Sequence, residues 1–440
     1  MEAVYSGYWF IGDIPGDWRV ARLDTLANLF GRIGWQGLTS DEYQEEGAWL
    51  VTGTDFHKGS VNWDTCVHVP EHRWKEAVQI QLQEGDLLIT KDGTIGKLAI
   101  IGELPGHASL NSGVMRIASK AGEYVTRFLY YVLRSEVFRS WFKNINAGAS
   151  TIQHLFQGDF KHFLLPFPTL VEQERISSFL DVQIFNLDEE ISILEKQAET
   201  LERYKASIVH EAVTKGLDET VRTKPSGVEW IGDIPVHWSM SRLRYLTSFE
   251  SGATPSKDDL GYWDGDIPWV SSMEVKADVI KDTSLHISKE AVGSCSTRLL
   301  PAGTLVMVVR SGILQHTIPV AILGASMTIN QDIKAMRFGG DMLAKYFFYF
   351  VRGNNDNLLK VLMKDKSTVD NISLNYLMSL NLPVPPIEEQ KKIVARLDEK
   401  TNRIDKVLEL KRRQTEVLQK RRESLIYEYV TGKCRVKEEA

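Results

Sequence analysis

The hydrophobic pattern is most regular in two stretches. Between 172 and 213, Leu180, Ile184, Leu187, Ile191, Leu194, Ala198, Leu201, Ile208 and Ala212 recur mostly at spacings of four and three. This heptad-like seam predicts one long amphipathic helix. Pro166 and Pro168 stand just before it and Gly216 just after, as start and stop signals should. A second seam over about 389–430 holds Leu397, Ile404, Leu408, Leu418 and Leu425, interrupted by Thr401, Lys411 and Arg422, with Gly432 behind it. At 1.5 Å per residue each helix would be roughly 60 Å long. Elsewhere the apolar runs are short. Leu87-Leu88-Ile89 and Leu305-Val306-Met307-Val308-Val309 read as buried strands, and the aromatic segments 127–133 and 345–351 read as helices. The stretches outside the seams are therefore mixed α/β.

The two seams belong to a larger internal repeat. Trp9-Phe10-Ile11-Gly12-Asp13-Ile14-Pro15-Gly16-Asp17-Trp18 returns as Trp230-Ile231-Gly232-Asp233-Ile234-Pro235-Val236-His237-Trp238, and Arg22-Leu23 returns as Arg242-Leu243, at an offset of 220. The segment Pro168 to Ile176 returns as Pro385 to Ile393 at an offset of 217, which persists through Leu180-Asp181 and Leu397-Asp398 to Val213-Thr214 and Val430-Thr431. Between these blocks the halves diverge, with faint landmarks. Gly85-Asp86-Leu87-Leu88 faces Gly303-Thr304-Leu305-Val306, Asn111 faces Asn330, and Ser150-Thr151 faces Ser367-Thr368. One fold occurring twice with different surfaces is the expectation. The numbering divides the chain into a repeat segment 1–18, a variable domain 19–165, a long helix and linker 166–225, a second repeat segment 226–238, a variable domain 239–382 and a second long helix 383–440. The spacing across the two ends nearly equals the spacing in the middle, as in a two-unit ring cut open, which implies pseudo-twofold symmetry and neighbouring termini.

Charge adds a pairing argument. Of 440 residues, 52 are basic and 58 acidic, a net charge of -6 that argues mildly against a nucleic-acid binder without excluding one. The distribution is uneven. Residues 172–224 carry 7 basic and 12 acidic groups, whereas 388–440 carry 15 basic and 11 acidic. Opposite signs suit two long helices lying side by side. The basic clusters Lys411-Arg412-Arg413 and Lys420-Arg421-Arg422 have three possible partners: the acidic helix, DNA or another subunit. Three scattered cysteines, no apolar run near 18 residues and a start without a signal-peptide pattern predict a reduced, soluble, cytoplasmic protein.

Catalytic patterns fail one by one. In Gly93-Thr94-Ile95-Gly96-Lys97 the first glycine is too close to the lysine for a phosphate loop, and the segment reads as a turn after a strand. Cys66, His68 and His72 cluster, but Pro70 breaks any helix that would align them on a metal. Glu274-Val275-Lys276 matches only the end of a metal-dependent nuclease signature. There is no Asn/Asp-Pro-Pro-aromatic tetrad and no Gly-rich cofactor fingerprint. The expectation is a recognition scaffold with no catalytic residues, no metal and no cofactor of its own.

The doubled arrangement resembles the specificity (S) subunit of type I restriction-modification systems. Trp18 to Leu23 and Trp238 to Leu243 open the two variable halves, and a Pro-x-x-x-Glu-Gln-x-x-Ile stretch closes each by starting a long helix. The resemblance covers essentially the whole chain. It implies α/β (α+β) target recognition domains in two copies, separated by two long antiparallel coiled-coil helices. It further implies a bipartite, asymmetric double-stranded DNA target and two methyltransferase (M) subunits carrying S-adenosylmethionine for adenine-N6 methylation. Restriction (R) subunits would bring ATP and Mg. Asp86 becomes Thr304 in the second half, and Asn330-Gln331 stands where the first half has Asn111-Ser112. The rival reading is a coiled-coil protein-binding adaptor without DNA recognition; a lone nuclease using the Glu274 region is a further one.

On this resemblance, the polar turns after the landmark strands are the candidate DNA contacts. In the first domain these are Thr90, Lys91, Thr94, Lys97, Ser150, Thr151 and Gln153. In the second they are Arg310, Ser311, Gln315, His316, Lys364, Lys366, Ser367 and Thr368. Lysines suit phosphates, and Arg310 and Gln315 suit bidentate contacts to base edges.

Overall fold

The computed structural model describes residues 3–32, 38–120, 122–147, 153–363 and 370–436. The chain forms two compact units, one of Met1–Leu194 with Arg413–Ala440 and one of Glu195–Arg412. Each unit therefore owns one α/β domain and one half of each long helix. The helices run Leu170–Lys215 and Ile387–Val430.

In the first unit, the hairpin Ala3–Tyr5/Asp13–Pro15 leads to the strand Arg19–Arg22, which pairs antiparallel with Leu164–Phe167. The chain thus enters and leaves the α/β domain through neighbouring strands. Inside lies a four-stranded antiparallel sheet in the order Leu98–Ile100, Leu87–Thr90, Val114–Ser119, Ala27–Gly31. A three-stranded sheet sets Ala108–Leu110 parallel to Ala48–Val51, whose other edge takes Val67–Val69. The second unit repeats this plan. Ser239–Arg242 pairs with Asn381–Val384, and the main sheet runs Thr247–Ser251, Ile333–Phe338, Leu305–Val308, Val320–Leu323, with Val279–Ile280 added as a fifth strand. Ile267–Val270 lies parallel to Thr328–Ile329 and antiparallel to His286–Ile287.

The unbroken apolar runs at 87–89 and 305–308 follow from burial on both faces. Leu87 and Ile89 point into a core shared with the helix Thr126–Arg134 and with Ile176, Leu180, Ile184 and Leu187 of the first long helix; Leu88 points into a second core under Val51 and Leu110. Leu305 and Met307 face the helix Ala344–Gly353 with Ile393 and Leu397, while Val306 and Val308 face the other side. Gly85 and Gly303 open these strands at the same φ of 83°, a left-handed conformation that other residues adopt only with strain. Their amides donate to Ile101 and Leu323 in equivalent turns.

The departure from Asp86 to Thr304 has a cause. Asp86 is buried and accepts from the Gln83 amide at 2.7 Å and from Arg116 Nε at 2.6 Å. The position equivalent to Arg116, which pairs with Leu88, is Ala335, which pairs with Val306, so no arginine stands there and Thr304 makes a bond to the Pro301 carbonyl, 2.7 Å. Burial pushes the Asp86 carboxyl upward, and Arg116 opposes it.

Within each unit the long helices pack antiparallel. Arg422 reaches Asp188 at 2.6 Å in the first unit; Lys205 reaches Asp405 at 2.6 Å and Arg412 reaches Glu202 at 3.2 Å in the second. The opposite charges of the two helices thus meet, and Lys411 bonds Gln197 at 2.6 Å. Two seam positions differ from expectation. Val209, Ala212 and Val213 are the buried residues near the end of the first helix, and Ile208 is only half-buried, because the seam there faces the α/β domain as well as the partner helix. In the second helix Ile426 is buried where the spacing predicts Leu425, for the corresponding reason. Thr401 sits buried in the seam and spends its hydroxyl on the Leu397 carbonyl one turn back, 2.7 Å. Among the described residues no helix is long and apolar enough to cross a membrane.

Candidate nucleic-acid interface

Each unit presents one polar cluster where the loop after the landmark strand meets the segment that returns toward the long helix. In the first unit, Leu87–Thr90 and Leu98–Ile100 are joined by the turn 91–97. Thr90 holds that turn. Its side chain is buried, donates to the Thr94 carbonyl at 2.6 Å and accepts from the Lys97 amide at 2.9 Å. The hydroxyl is consumed internally, while Thr94 and Lys97 are exposed and Lys91 half-exposed. The Leu155 amide donates to the Lys91 carbonyl at 3.0 Å, which brings Gln153 and His154 beside the turn. His154 Nδ1 then meets Asp92 at 2.7 Å, and the exposed ring of Phe156 lies 5.7 Å from the imidazole.

The second unit builds the same junction from different residues. The Ile372 amide donates to the Val309 carbonyl at 2.8 Å, and Arg310 bridges to Asn371. Arg310 is exposed and its Nε is held by Asp332 at 2.7 Å. Ser311 accepts from the Ile313 amide at 3.5 Å and caps a short helical turn carrying Gln315. Gln315 donates to Asp370 at 2.8 Å, and His316 is exposed beside it.

The landmark asparagines set these junctions. Asn111 Oδ1 accepts from the Gly113 amide at 3.4 Å, and Asn330 Oδ1 accepts from the Asp332 amide at 3.1 Å, the same side-chain turn in both units. Gln331 takes the Thr254 hydroxyl at 2.6 Å, whereas Ser112 bonds back to Asn111 at 2.9 Å.

Of the fifteen candidate positions, the structure brings Lys91, Thr94, Lys97 and Gln153 together in one cluster and Arg310, Ser311, Gln315 and His316 in the other. Thr90 lies beneath the first. Ser150, Thr151, Lys364, Lys366, Ser367 and Thr368 lie outside the described residues. Sequence reasoning misses Asp92, His154, Phe156, Asp332 and Asp370. The signal for Asp332 is its position two residues after the landmark Asn330; the pairing of His154 with Asp92 spans 62 residues and leaves no local trace.

The metal and nuclease candidates have other settings. Cys66 is buried, which pushes its thiol up to about 12, and His68 packs its ring on Trp49. Glu274 accepts from the Ser284 hydroxyl and amide. Among the described residues no three His, Cys, Asp or Glu side chains gather as metal ligands would.

Comparisons with known proteins give the same organisation. The chain is 32% identical over 213 residues to the Escherichia coli EcoR124I/EcoR124II specificity subunit, a match to 48% of this chain and 49% of that relative. It is 23% identical over 433 residues to the putative MjaX specificity subunit of Methanocaldococcus jannaschii, covering 97% of this chain and 96% of that one. The fold is that of a solved chain from a type I restriction-modification system, with a TM-score of 0.72 at 16% identity over 96% of this chain and 99% of the other. The family model of the type I restriction modification DNA specificity domain matches twice, at residues 17–203 and 235–419. With both halves of the repeat matched, the chain belongs to the type I restriction-modification specificity family and carries its DNA specificity domain in duplicate.

Proposed function

We propose that this chain is the sequence-reading subunit of a type I restriction-modification enzyme, and that its two α/β domains read the two unlike halves of a bipartite DNA target. The observation that carries this reading is the paired junction. One backbone arrangement occurs in both units, yet Lys91, Asp92 and His154 in one stand where Val309, Arg310 and Asn371 stand in the other. A repeated frame with exchanged polar groups is what two different base sequences require.

Lys91 and Lys97 would meet phosphates, and Arg310, Gln315 and His154 base edges. The tether of Arg310 to Asp332 is compatible with this role. An exposed ion pair is worth about 0–1 kcal/mol, and a bidentate arginine–guanine contact about 1–3 kcal/mol, so DNA wins the exchange. Thr90 would support the turn without touching DNA; Ser150, Thr151, Gln153, Ser311, Lys364, Lys366, Ser367 and Thr368 complete the proposed surface. The chain would contribute no catalytic group. Two M subunits would bring S-adenosylmethionine and methylate adenine N6, and R subunits would bring ATP and Mg for cleavage.

Methylation-site sequencing of a host carrying this gene with its methyltransferase gene tests the reading. The expected result is one bipartite motif, lost when this gene is deleted. An unchanged methylome on deletion would support the adaptor reading instead.

A further inference from the structure

The pseudo-symmetry breaks at one place on the long helices. The offset of 217 is structurally sound there, because Gln173 and Gln390, and likewise Asp181 and Asp398, make matching bonds to their own α/β domains. In the first unit, Phe179 and Tyr429 meet as tilted rings with centroids 4.5 Å apart, one from each helix. The equivalent residues of the second unit are Arg396 and Ala212. A methyl group replaces the phenol ring there. A cavity of about 350 Å³ lies there between the helices and the segment after Lys215, lined by Ala212, Ile208 and Leu397, with Arg396 and Lys400 on its wall together with the carboxylates Glu211, Asp218 and Glu219. That volume is at the small end of the range for ligand pockets, about 300–1,000 Å³.

The first unit shows what this position accommodates: a phenol ring in contact with the residue at 179 on the other helix. In the second unit the stacking residue is a guanidinium, which the electron-rich face of an aromatic ring attracts. Its Nη1 lies 3.3 Å from Glu399 one turn along the same helix, an exposed pair. Lys400, where the first unit has Gln183, adds a second cation. We propose that this cavity binds an aromatic side chain of a partner protein, packed on Ala212 and faced by Arg396. In the first unit Tyr429 itself meets the residue at 179, so a partner that supplies its own ring would use the second unit, unlike any partner that uses the duplicated surfaces.

The test uses the full chain with carbon-13 labelled alanine and leucine methyls, titrated with N-acetyl-L-tyrosinamide. N-acetyl-L-leucinamide and inorganic phosphate are the comparison probes. Tyrosinamide should produce a saturable ring-current shift at Ala212 and Leu397. The shift should vanish in the A212Y/R396F double variant, which copies the first unit, weaken several-fold in R396A and persist in R396F. If the double variant fails to fold, the contrast between R396A and R396F decides. An equal response to leucinamide, displacement of tyrosinamide by phosphate, or no saturable shift at these methyls would overturn the proposal.

Discussion

Gln173 and Gln390 perform one task at equivalent points of two different units. Gln173 accepts from the Val125 amide at 2.9 Å and donates to the Pro168 carbonyl at 3.0 Å. Gln390 accepts from the Leu343 amide at 2.9 Å and donates to the Pro385 and Asp341 carbonyls at 2.9 and 2.8 Å. Both side chains are fully buried. Eight residues on, Asp181 takes Arg127 and Tyr131, and Asp398 takes Lys345 and Tyr349. Each long helix is thereby keyed to its α/β domain at two points.

Replacing Gln173 by alanine strands an amide and a carbonyl, and replacing Gln390 strands an amide and two carbonyls. The expected cost is about 1–3 kcal/mol for each stranded group. Hydrogen exchange should localise the loss, with Q173A loosening the helix Thr126–Arg134 and Q390A the helix Ala344–Gly353. Loosening of both units by either variant would show that the keys are not local.

The buried tryptophans of the repeat, Trp18 and Trp238, are unequal. Trp18 donates to Glu172 at 2.9 Å, whereas Trp238 Nε1 has no partner among the described residues, because the equivalent Glu389 is taken by His237 at 2.7 Å. Trp→Phe removes similar apolar bulk at both sites. W18F should therefore cost about 2 kcal/mol more than W238F, the value of the lost charged bond and of the relieved orphan donor. Thermal melts of the two variants would show it, and equal losses would contradict it.

Asp86 and Arg116 form a buried pair that the second unit replaces with Thr304 and Ala335. Asp86→Ala leaves a buried guanidinium uncompensated, at about 3–5 kcal/mol. The double variant D86T/R116A copies the second unit and should recover most of that loss. Urea denaturation of the single and double variants measures the recovery.

The long helices are legible because four-and-three spacing sustained over about nine turns places a continuous row of apolar residues on one helix face and fits no strand. The strands at 87–90 and 305–308 are legible from short apolar runs closed by glycine and polar turns. Contact between distant segments is not. His154 finds Asp92, and Arg310 finds Asp332, only after the sheet has formed. The inward direction of Thr90 is hidden because the last residue of a strand looks the same whether its hydroxyl serves a turn or a ligand. At Ile208 the seam differs by one residue, since periodicity locates a buried face without saying how many neighbours share it.

At the proposed DNA surface, R310A should relax discrimination at one position of one half-site by about 1–3 kcal/mol. The other half-site should be unaffected. K97A should weaken binding across all sequences and reduce the salt slope by about 1. Competition binding of the methyltransferase assembly at several salt concentrations separates the two behaviours, and a uniform loss in R310A would move it to the phosphate class.

The central claim is that each α/β domain carries its own half of the target. The entry and exit strands of each domain pair side by side, Arg19 with Phe167 and Ser239 with Val384, so the domains 19–165 and 239–382 can be exchanged at adjacent points. Methylation-site sequencing of a host carrying the exchanged chain with its methyltransferase should return the same two half-sites in reversed order. A folded, active exchange variant that still methylates the original order would contradict the claim.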